Sequence, residues 1–333
     1  MSASRDRALG AFYGLALGDA LGMPTQSMCR RDIAEDYGQL RGFVDAGPRQ
    51  FIAHGMSAGS ITDDTEQAIM LAQLIIDGAG VVDPTAFAHA LIAWEARMKA
   101  RGSLDLLGPS TKRAVERILD GADPTEAGRF GSTNGAAMRI TPAAIAASLD
   151  GGMSSFVDAI YRCSFVTHNT SLGIGSAAAV AGAISAGIAG ADLPEAVDIG
   201  VAAAAEGTTR GYWVAGGDIA TRIEWAVQLV GTTTDEHITV TVADIVGTSV
   251  ASQESVVAAF ALAVAYDDPW DVVLAAATIG GDTDTIAAIA GAVRGAVGGL
   301  AAWPGEAIRT VIDVNSLDLE PLVDRLLALR NTN

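Results

Sequence analysis

The sequence predicts an all-α protein that folds as one compact domain. Alanine-rich segments of helical length recur along the 333 residues, with apolar side chains three and four positions apart. Glycine, proline and aspartate separate these segments, as they do at helix ends. No low-complexity linker and no repeat of fixed period divides the chain, so we expect a single domain over residues 1–333.

The helical pattern is present in an N-terminal segment and in nine later ones, which are residues 65–77, 84–99, 109–119, 172–188, 193–206, 219–229, 254–266, 284–297 and 319–330. One stretch is different, because HITVTVADIVG at residues 237–247 is rich in β-branched side chains. A strand needs a partner, and no second segment of this kind is present. We therefore predict an extended loop or a minor element there.

The N-terminal helix carries glycine at every fourth position, at Gly10, Gly14, Gly18 and Gly22. Residues four apart lie on one face of a helix, so these glycines form a stripe without side chains. The stripe predicts that another backbone approaches this helix closely.

Composition limits the partners of the protein. An apolar fraction of 50% provides for a large core, and the formal charge of -18 with only 21 Lys and Arg argues against binding to nucleic acid or anionic membranes. The expected partner is a small molecule or another protein. Cys29 and Cys163 lie outside any CxxC pattern, which excludes a disulfide scaffold or a zinc finger and favours the cytoplasm.

Two features of the sequence resemble a membrane-spanning segment and an export segment, but neither is predicted. Residues 172–191 carry no charge and could span a bilayer, but they are mostly Ala, Gly and Ser, so we predict a buried helix. The N-terminus has two arginines before an apolar stretch, yet Asp19 and repeated glycines follow instead of an export cleavage region.

Acidic residues interrupt two apolar stretches. GGDTDTIAAIAGA at residues 280–292 contains Asp282 and Asp284, and TDDT at residues 62–65 has a similar layout. Each could be a simple helix start, since Thr and Asp are good N-caps. If the two starts face one another, however, four carboxylates come together and require protons or a cation. Carboxylate and hydroxyl oxygens suit Mg²⁺, Mn²⁺ or Ca²⁺ and exclude a zinc-thiolate site.

Five motifs in order carry a family resemblance: GDALG (residues 18–22), TDDT (62–65), NGAAMR (134–139), TH (167–168) and GGDTDT (280–285). Together they resemble the ADP-ribosylglycohydrolase family over residues 8–300. The resemblance implies an orthogonal helical bundle with two Mg²⁺ or Mn²⁺ ions at the bottom of an ADP-ribose cleft. It implies hydrolysis of a C1 to nitrogen or C1 to oxygen bond of the ribose.

The resemblance also implies roles for particular residues. The implied metal ligands are Thr62, Asp63, Asp64, Asp282, Asp284 and Thr285, with Asp63 or Asp64 accepting the proton of the attacking water. The implied substrate-binding residues are Asn134, Gly135, Ala136, Met138 and His168. Apart from the resemblance, Asn-Gly is an ordinary turn and a lone histidine is as often a cap or core residue. Tyr212 and Trp213 are adenine-stacking candidates, although such a pair is more often core, and Asp19 is predicted to brace the first helix against the acidic stretches.

One position departs from the family pattern. Many relatives have a glutamate shortly after GDALG, where this chain has Gln26, and glutamine can neither accept a proton nor carry charge. Three functions therefore stay open: hydrolysis of an ADP-ribosylated side chain or small acceptor, hydrolysis of a nucleoside or other ribosyl glycoside, and ADP-ribose binding without catalysis. The sequence leaves the oligomeric state open.

Overall fold

The computed structural model describes residues 2–104 and 107–331. Within them the chain forms eighteen α-helices joined by short 3₁₀ and π turns, and β-structure is limited to isolated bridges. The helices are α1 Ala3–Gly22, α2 Arg30–Tyr37, α3 Asp63–Asp77, α4 Pro84–Ala100, α5 Pro109–Leu119, α6 Pro124–Ala127, α7 Gly135–Met138, α8 Thr141–Ala146, α9 Met153–His168, α10 Ser171–Ala189, α11 Leu193–Gly207, α12 Ile219–Gly231, α13 Ile238–Thr241, α14 Ser252–Ala265, α15 Pro269–Thr278, α16 Thr283–Gly298, α17 Gly305–Asn315 and α18 Glu320–Arg330. The predicted all-α class is confirmed.

Helices α1 and α16 form the centre of the fold, and glycine makes their close contact possible. A Cβ on Gly18 would lie 2.1 Å from the carbonyl oxygen of Ala287, and one on Gly14 would lie 2.3 Å from that of Gly291. At the end of the stripe, a Cβ on Gly22 would meet the backbone of Asp284 at 2.4 Å. The predicted close approach is therefore confirmed. It places the end of α1 beside the acidic start of α16.

Each of the nine later segments predicted to be helical contains a helix. Four helices of eight or more residues, α2, α9, α15 and α17, and the short helices α6, α7, α8 and α13 lie outside the predicted segments. Helix α10, Ser171–Ala189, is long and apolar enough to cross a membrane, but 94% of its apolar window is buried inside the protein. It is a core helix, as the sequence predicts.

Of the two alternatives predicted for residues 237–247, the extended loop is wrong and a minor element is present. The stretch starts at the end of a 3₁₀ turn, Asp235–His237, and continues as α13 and a π turn, Val242–Val246. Ile238, Val242 and Val246 recur every fourth residue and are all buried. Burial of this one helical face outweighs the β preference of the side chains, because that preference depends on a neighbouring strand.

Candidate active site

The two acidic stretches start α3 and α16, and the fold brings these helix starts together. The hydroxyl of Thr62, next to the start of α3, lies 3.5 Å from Asp64 Oδ2, and the hydroxyl of Thr285 on α16 lies 3.4 Å from the same atom. The negative charges that act on Asp64 include those of Asp282 and Asp284. The predicted meeting of the two stretches is therefore present in the structure.

The first turn of α3 is capped by Asp19 of α1. The backbone N–H groups of Thr62 and Thr65 donate to its carboxylate at 3.0 and 3.1 Å, and their hydroxyls donate at 2.7 and 2.5 Å. Burial raises the pKa of Asp19 to about 6, although these donors lower it. The predicted brace is confirmed. Because Asp19 supplies the cap, Asp63 and Asp64 are not needed for that purpose.

Asp64, unlike Asp19, is poorly supplied with hydrogen-bond donors. Its side chain is buried, and its Oδ1 atom has no hydrogen-bond partner. Burial raises the pKa of Asp64 well above its usual range, and the charges of Asp284, Asp63, Asp19 and Asp282 raise it further. Burial also raises the pKa of Asp282 to about 6, opposed by a hydrogen bond from the Asn134 amide at 2.5 Å. Several carboxylates thus lie close together at the two helix starts.

The donor set fits a hard divalent cation in its chemistry. The atoms at the two helix starts are carboxylate and hydroxyl oxygens, which Mg²⁺ and Mn²⁺ prefer, and the unpartnered Asp64 Oδ1 is an atom that a cation would satisfy. Within the described ranges, no three His, Cys, Asp or Glu side chains are already arranged to hold an ion.

A cavity of about 240 Å³ opens above the carboxylates. It collects most of the predicted metal-binding and substrate-binding residues on one surface, together with Gln26 and Thr133. Its polar lining comprises Gln26, Ser27, Asp63, Thr111, Thr133, Asn134, Asp282, Asp284 and Thr285, with Gly135 and Met138 beside them. Asp64 and Ala136 are buried behind this surface and do not line it.

A second cavity of about 300 Å³ lies on the other side of Asp63, which forms a wall of both cavities together with Ile52 and Leu104. Its floor includes Trp94, whose indole N–H donates to Glu66 at 2.6 Å. A ligand can therefore extend in two directions from Asp63.

His168 does not reach the cleft. Its ring is fully buried, Nδ1 lies 2.7 Å from the Thr167 hydroxyl, and Nε2 lies 2.9 Å from the Thr133 hydroxyl. The ring thus lies behind the residues that line the cavity, and the nucleotide contact that the resemblance implies stays a prediction. The alternative prediction, that this histidine is a core residue, describes its position correctly.

Gln26, the residue that departs from the family pattern, lies at the first cavity. Its side chain is 95% buried, it lines the first cavity, and its amide nitrogen has no hydrogen-bond partner. The backbone N–H of Ser27 donates to Gly281 at 2.6 Å, so this loop is joined to the glycines that precede α16.

The aromatic pair differs from both of its predicted alternatives. Tyr212 donates its hydroxyl to Glu126 and lies under the guanidinium of Arg129, whose Cζ is 4.7 Å from the ring centroid. Trp213 is 81% exposed, so its interpretation as a core residue is wrong. Neither ring lines the two cavities around Asp63.

Sequence reasoning gave no role to three residues that the structure links to the cleft, which are Gln67, Thr133 and Arg139. Arg139 is fully buried beneath the cleft and contacts Gln67 and Thr167. The available signal was a charged residue within AAMRITPAAIAA, a stretch that is otherwise apolar except for its threonine.

Comparison with known proteins shows the family and the fold of the chain. The profile of the ADP-ribosylglycohydrolase family matches residues 1–333. An uncharacterized protein of Escherichia coli (strain K12), YegU, is 33% identical over 332 residues, which are 98% of this chain and 97% of that protein. The ADP-ribosyl-[dinitrogen reductase] glycohydrolase of Rhodospirillum rubrum is 35% identical over 142 residues, which are 42% of this chain and 45% of that enzyme. A solved structure from an ADP-ribosylglycohydrolase-related protein complex has the same fold, with a TM-score of 0.72 and 23% identity over 99% of this chain and 100% of that chain.

Proposed function

Because the chain belongs to the ADP-ribosylglycohydrolase family, whose activity is hydrolytic, we propose that it cleaves the C1 N- or O-glycosidic bond of an ADP-ribosylated side chain or small acceptor. We further propose that the reaction depends on two Mg²⁺ or Mn²⁺ ions. The relative from Rhodospirillum rubrum, whose name is that of an ADP-ribosyl glycohydrolase, supports this substrate class. A cytoplasmic location is part of the proposal, supported by the free thiols Cys29 and Cys163.

The observation that carries the proposal is the unsatisfied carboxylate of Asp64. A buried charge without a partner costs several kcal/mol, roughly, so a purely structural protein gains nothing by keeping it. Four other aspartates contribute to its electrostatic environment, which increases that cost. A bound cation offsets this free-energy cost, because it neutralises the buried carboxylates.

The proposed ligands of the ions are Thr62, Asp63 and Asp64 from the start of α3, and Asp282, Asp284 and Thr285 from the start of α16. When bound, such ions supply positive charge that orients the ribose hydroxyls and makes a nearby water more acidic. The donor chemistry and the unpartnered Asp64 Oδ1 support this assignment.

The protein's own side chains divide the remaining work. Asp63 lines both cavities, whereas Asp64 lies behind the surface, so the geometry favours Asp63 as the acceptor of the proton from the attacking water. Asn134 holds Asp282 in place through its amide. The negative charge of the neighbouring carboxylates stabilises the oxocarbenium-like charge that develops on the sugar as the bond breaks.

Gln26 favours a second candidate, a metal-dependent hydrolase of a nucleoside or another ribosyl glycoside. It lines the cavity at the position where many relatives carry a glutamate, and it contributes no negative charge there. A neutral side chain at this position favours a leaving group that differs from the one released by relatives with a glutamate.

A substrate panel separates the candidates. The protein is incubated with Mg²⁺ and either ADP-ribosyl-arginine, ADP-ribosyl-serine peptides or ribonucleosides, and the released sugar is measured. We expect release from an ADP-ribosylated substrate that stops with EDTA. Release from nucleosides alone would favour the second candidate. ADP-ribose binding without any cleavage would favour a non-catalytic binder.

A further inference from the structure

A chain of hydrogen bonds runs beneath the first cavity and joins two of its walls. It starts at Asp63 and ends at Thr133, both of which line the cavity. The four side chains between them are fully buried and are not among the residues that line the cavity. In order, the chain is Asp63, Gln67, Arg139, Thr167, His168 and Thr133.

Arg139 sets the direction of every bond in this chain. A guanidinium has only donors, so both of its partners must accept. Nη1 donates to Gln67 Oε1 at 2.9 Å, and Nη2 donates to the hydroxyl oxygen of Thr167 at 2.5 Å. The bonds therefore point outward from Arg139 along both arms.

The first arm fixes Asp63 as an acceptor. Because Gln67 Oε1 accepts from Arg139, the amide nitrogen of Gln67 faces the other way and donates to Asp63 Oδ2 at 2.9 Å. The orientation of a glutamine amide is often ambiguous, but here Arg139 determines it. Asp63 Oδ2 is therefore a hydrogen-bond acceptor whose donor is set by Arg139 through Gln67.

The second arm fixes the tautomer of His168. The Thr167 hydroxyl accepts from Arg139, and its own proton has one acceptor among the described residues, His168 Nδ1 at 2.7 Å. The ring proton is then on Nε2, which donates to the hydroxyl oxygen of Thr133 at 2.9 Å. Burial and the charge of Arg139 lower the pKa of His168 well below its ordinary range, so the ring is neutral.

We propose that this network makes Thr133 a ligand-binding residue that donates its hydroxyl proton to an oxygen of the bound ADP-ribosyl group. The proposal rests on the proposed function for the identity of the ligand. Thr133 accepts from His168, so its single proton is directed elsewhere, and its side chain is partly exposed at the cavity. Arg139 and Gln67 are positioning residues, which set one wall to donate and the other to accept.

The burial of Arg139 is hard to explain by packing alone. Within the described residues it has no carboxylate within 4.0 Å, and its Nε atom has no partner. Its charge is attracted to Asp63 beyond Gln67, and its Cζ lies 5.1 Å from the Phe87 ring centroid. Burial of a cation without a paired anion is costly, so replacement by an apolar side chain would serve packing better.

Calorimetry tests the role of Thr133 without needing turnover. The affinity for ADP-ribose and for ADP is measured in the presence of Mg²⁺ for the parent, Thr133→Val and Thr133→Ser. Loss of one hydrogen bond is expected to weaken binding about 3- to 10-fold in the valine variant. The serine variant, which retains the hydroxyl, is expected to bind like the parent. The valine variant keeping parent affinity for both ligands would overturn the assignment.

Nitrogen NMR of the histidine rings tests the direction of the network. His168 is assigned by the signals that disappear in His168→Gln. We expect a neutral ring with the proton on Nε2 from about pH 5 to pH 8, the range in which an ordinary histidine titrates. A proton on Nδ1, or titration in this range, would overturn the proposed direction. Arg139→Met is expected to remove the preference of the His168 proton for Nε2 over Nδ1. Arg330→Met is the matched control, because Arg330 is also largely buried but donates to Ala144, Ala147 and Ser185.

The Gln67 arm has its own readout. Gln67→Met removes the donor to Asp63 and is expected to lower kcat about 10-fold while the affinity for ADP-ribose stays unchanged. Equal losses of kcat and affinity would indicate a structural role and contradict the positioning role. A parent protein that binds no ADP-ribose would contradict the proposed function and the Thr133 contact, whereas the NMR result would still decide the direction of the network.

Discussion

Asp19 and Asp64 lie next to each other and are equally inaccessible to solvent, yet the protein treats them differently. Asp19 is surrounded by amide and hydroxyl donors from Thr62 and Thr65. Among the described residues, Asp64 receives long contacts from Thr62 and Thr285, and its Oδ1 atom has no partner. The comparison separates a carboxylate that stabilises the fold from one that the fold leaves available for a ligand.

The largest expected effect is on catalysis. Asp64→Asn and Asp284→Asn each remove one proposed metal ligand, and a bound metal contributes several kcal/mol to the transition state, so we expect kcat to fall about 10³-fold. Release of ADP-ribose under saturating substrate measures the effect. An Asp64→Asn variant with parental kcat would break the comparison, because Asp64 would then be no more available to a ligand than Asp19.

The next effect is on the fold itself. Asp19→Ala leaves the donors of Thr62 and Thr65 without their acceptor, and we expect it to lower the free energy of unfolding by about 3 kcal/mol. The matched variant Asp64→Asn, measured without metal, is expected to be as stable as the parent or more stable, because it removes a repelled charge. Urea denaturation in EDTA compares the two variants. Equal destabilisation by both would contradict the distinction between them.

A third prediction concerns the link between metal and stability. Mg²⁺ at a hundredfold excess over its dissociation constant is expected to stabilise the parent by about 3 kcal/mol, if it binds the folded state alone. Asp64→Asn is expected to lose most of this gain. Thermal melting in Mg²⁺ and in EDTA measures both proteins. Melting of the parent that is indifferent to both conditions would count against the metal centre.

The smallest expected effect concerns Gln26. Gln26→Glu restores a carboxylate beside the cluster, and we expect it to raise ADP-ribosyl hydrolysis several-fold if a missing charge limits that reaction. The isosteric change keeps the packing of this buried position, so folding is not expected to be the cause of a change. An unchanged or lower rate would remove Gln26 as the explanation for an altered substrate.

Local patterns predicted the fold well where they were strong. Alanine-rich periodicity predicted α10 and α16, and the glycine stripe predicted that another backbone approaches α1 closely, because both signals depend on which face of a helix a residue occupies. The structure shows that this backbone is α16. The same reasoning failed at residues 237–247. There, burial of Ile238, Val242 and Val246 decided the conformation, and burial is not a local property.

For the site, the sequence by itself determined the chemistry of the groups. Paired aspartates with threonines at two helix starts can be identified from residue types and their spacing alone, whereas the departure at Gln26 is visible only through the family resemblance. Motif order was enough to indicate the family, which the match over residues 1–333 confirms.

Only the tertiary structure decided which of these groups are satisfied. The donors to Asp19 come from residues more than forty positions away along the chain, and the packing of α1 against α3 fixes where they meet. The fold also leaves Asp64 Oδ1 without a partner among the described residues and buries His168 below the cleft. A hydrogen bond depends on distance and angle in space, so composition and spacing determine which groups can form one, and the fold determines which of them do.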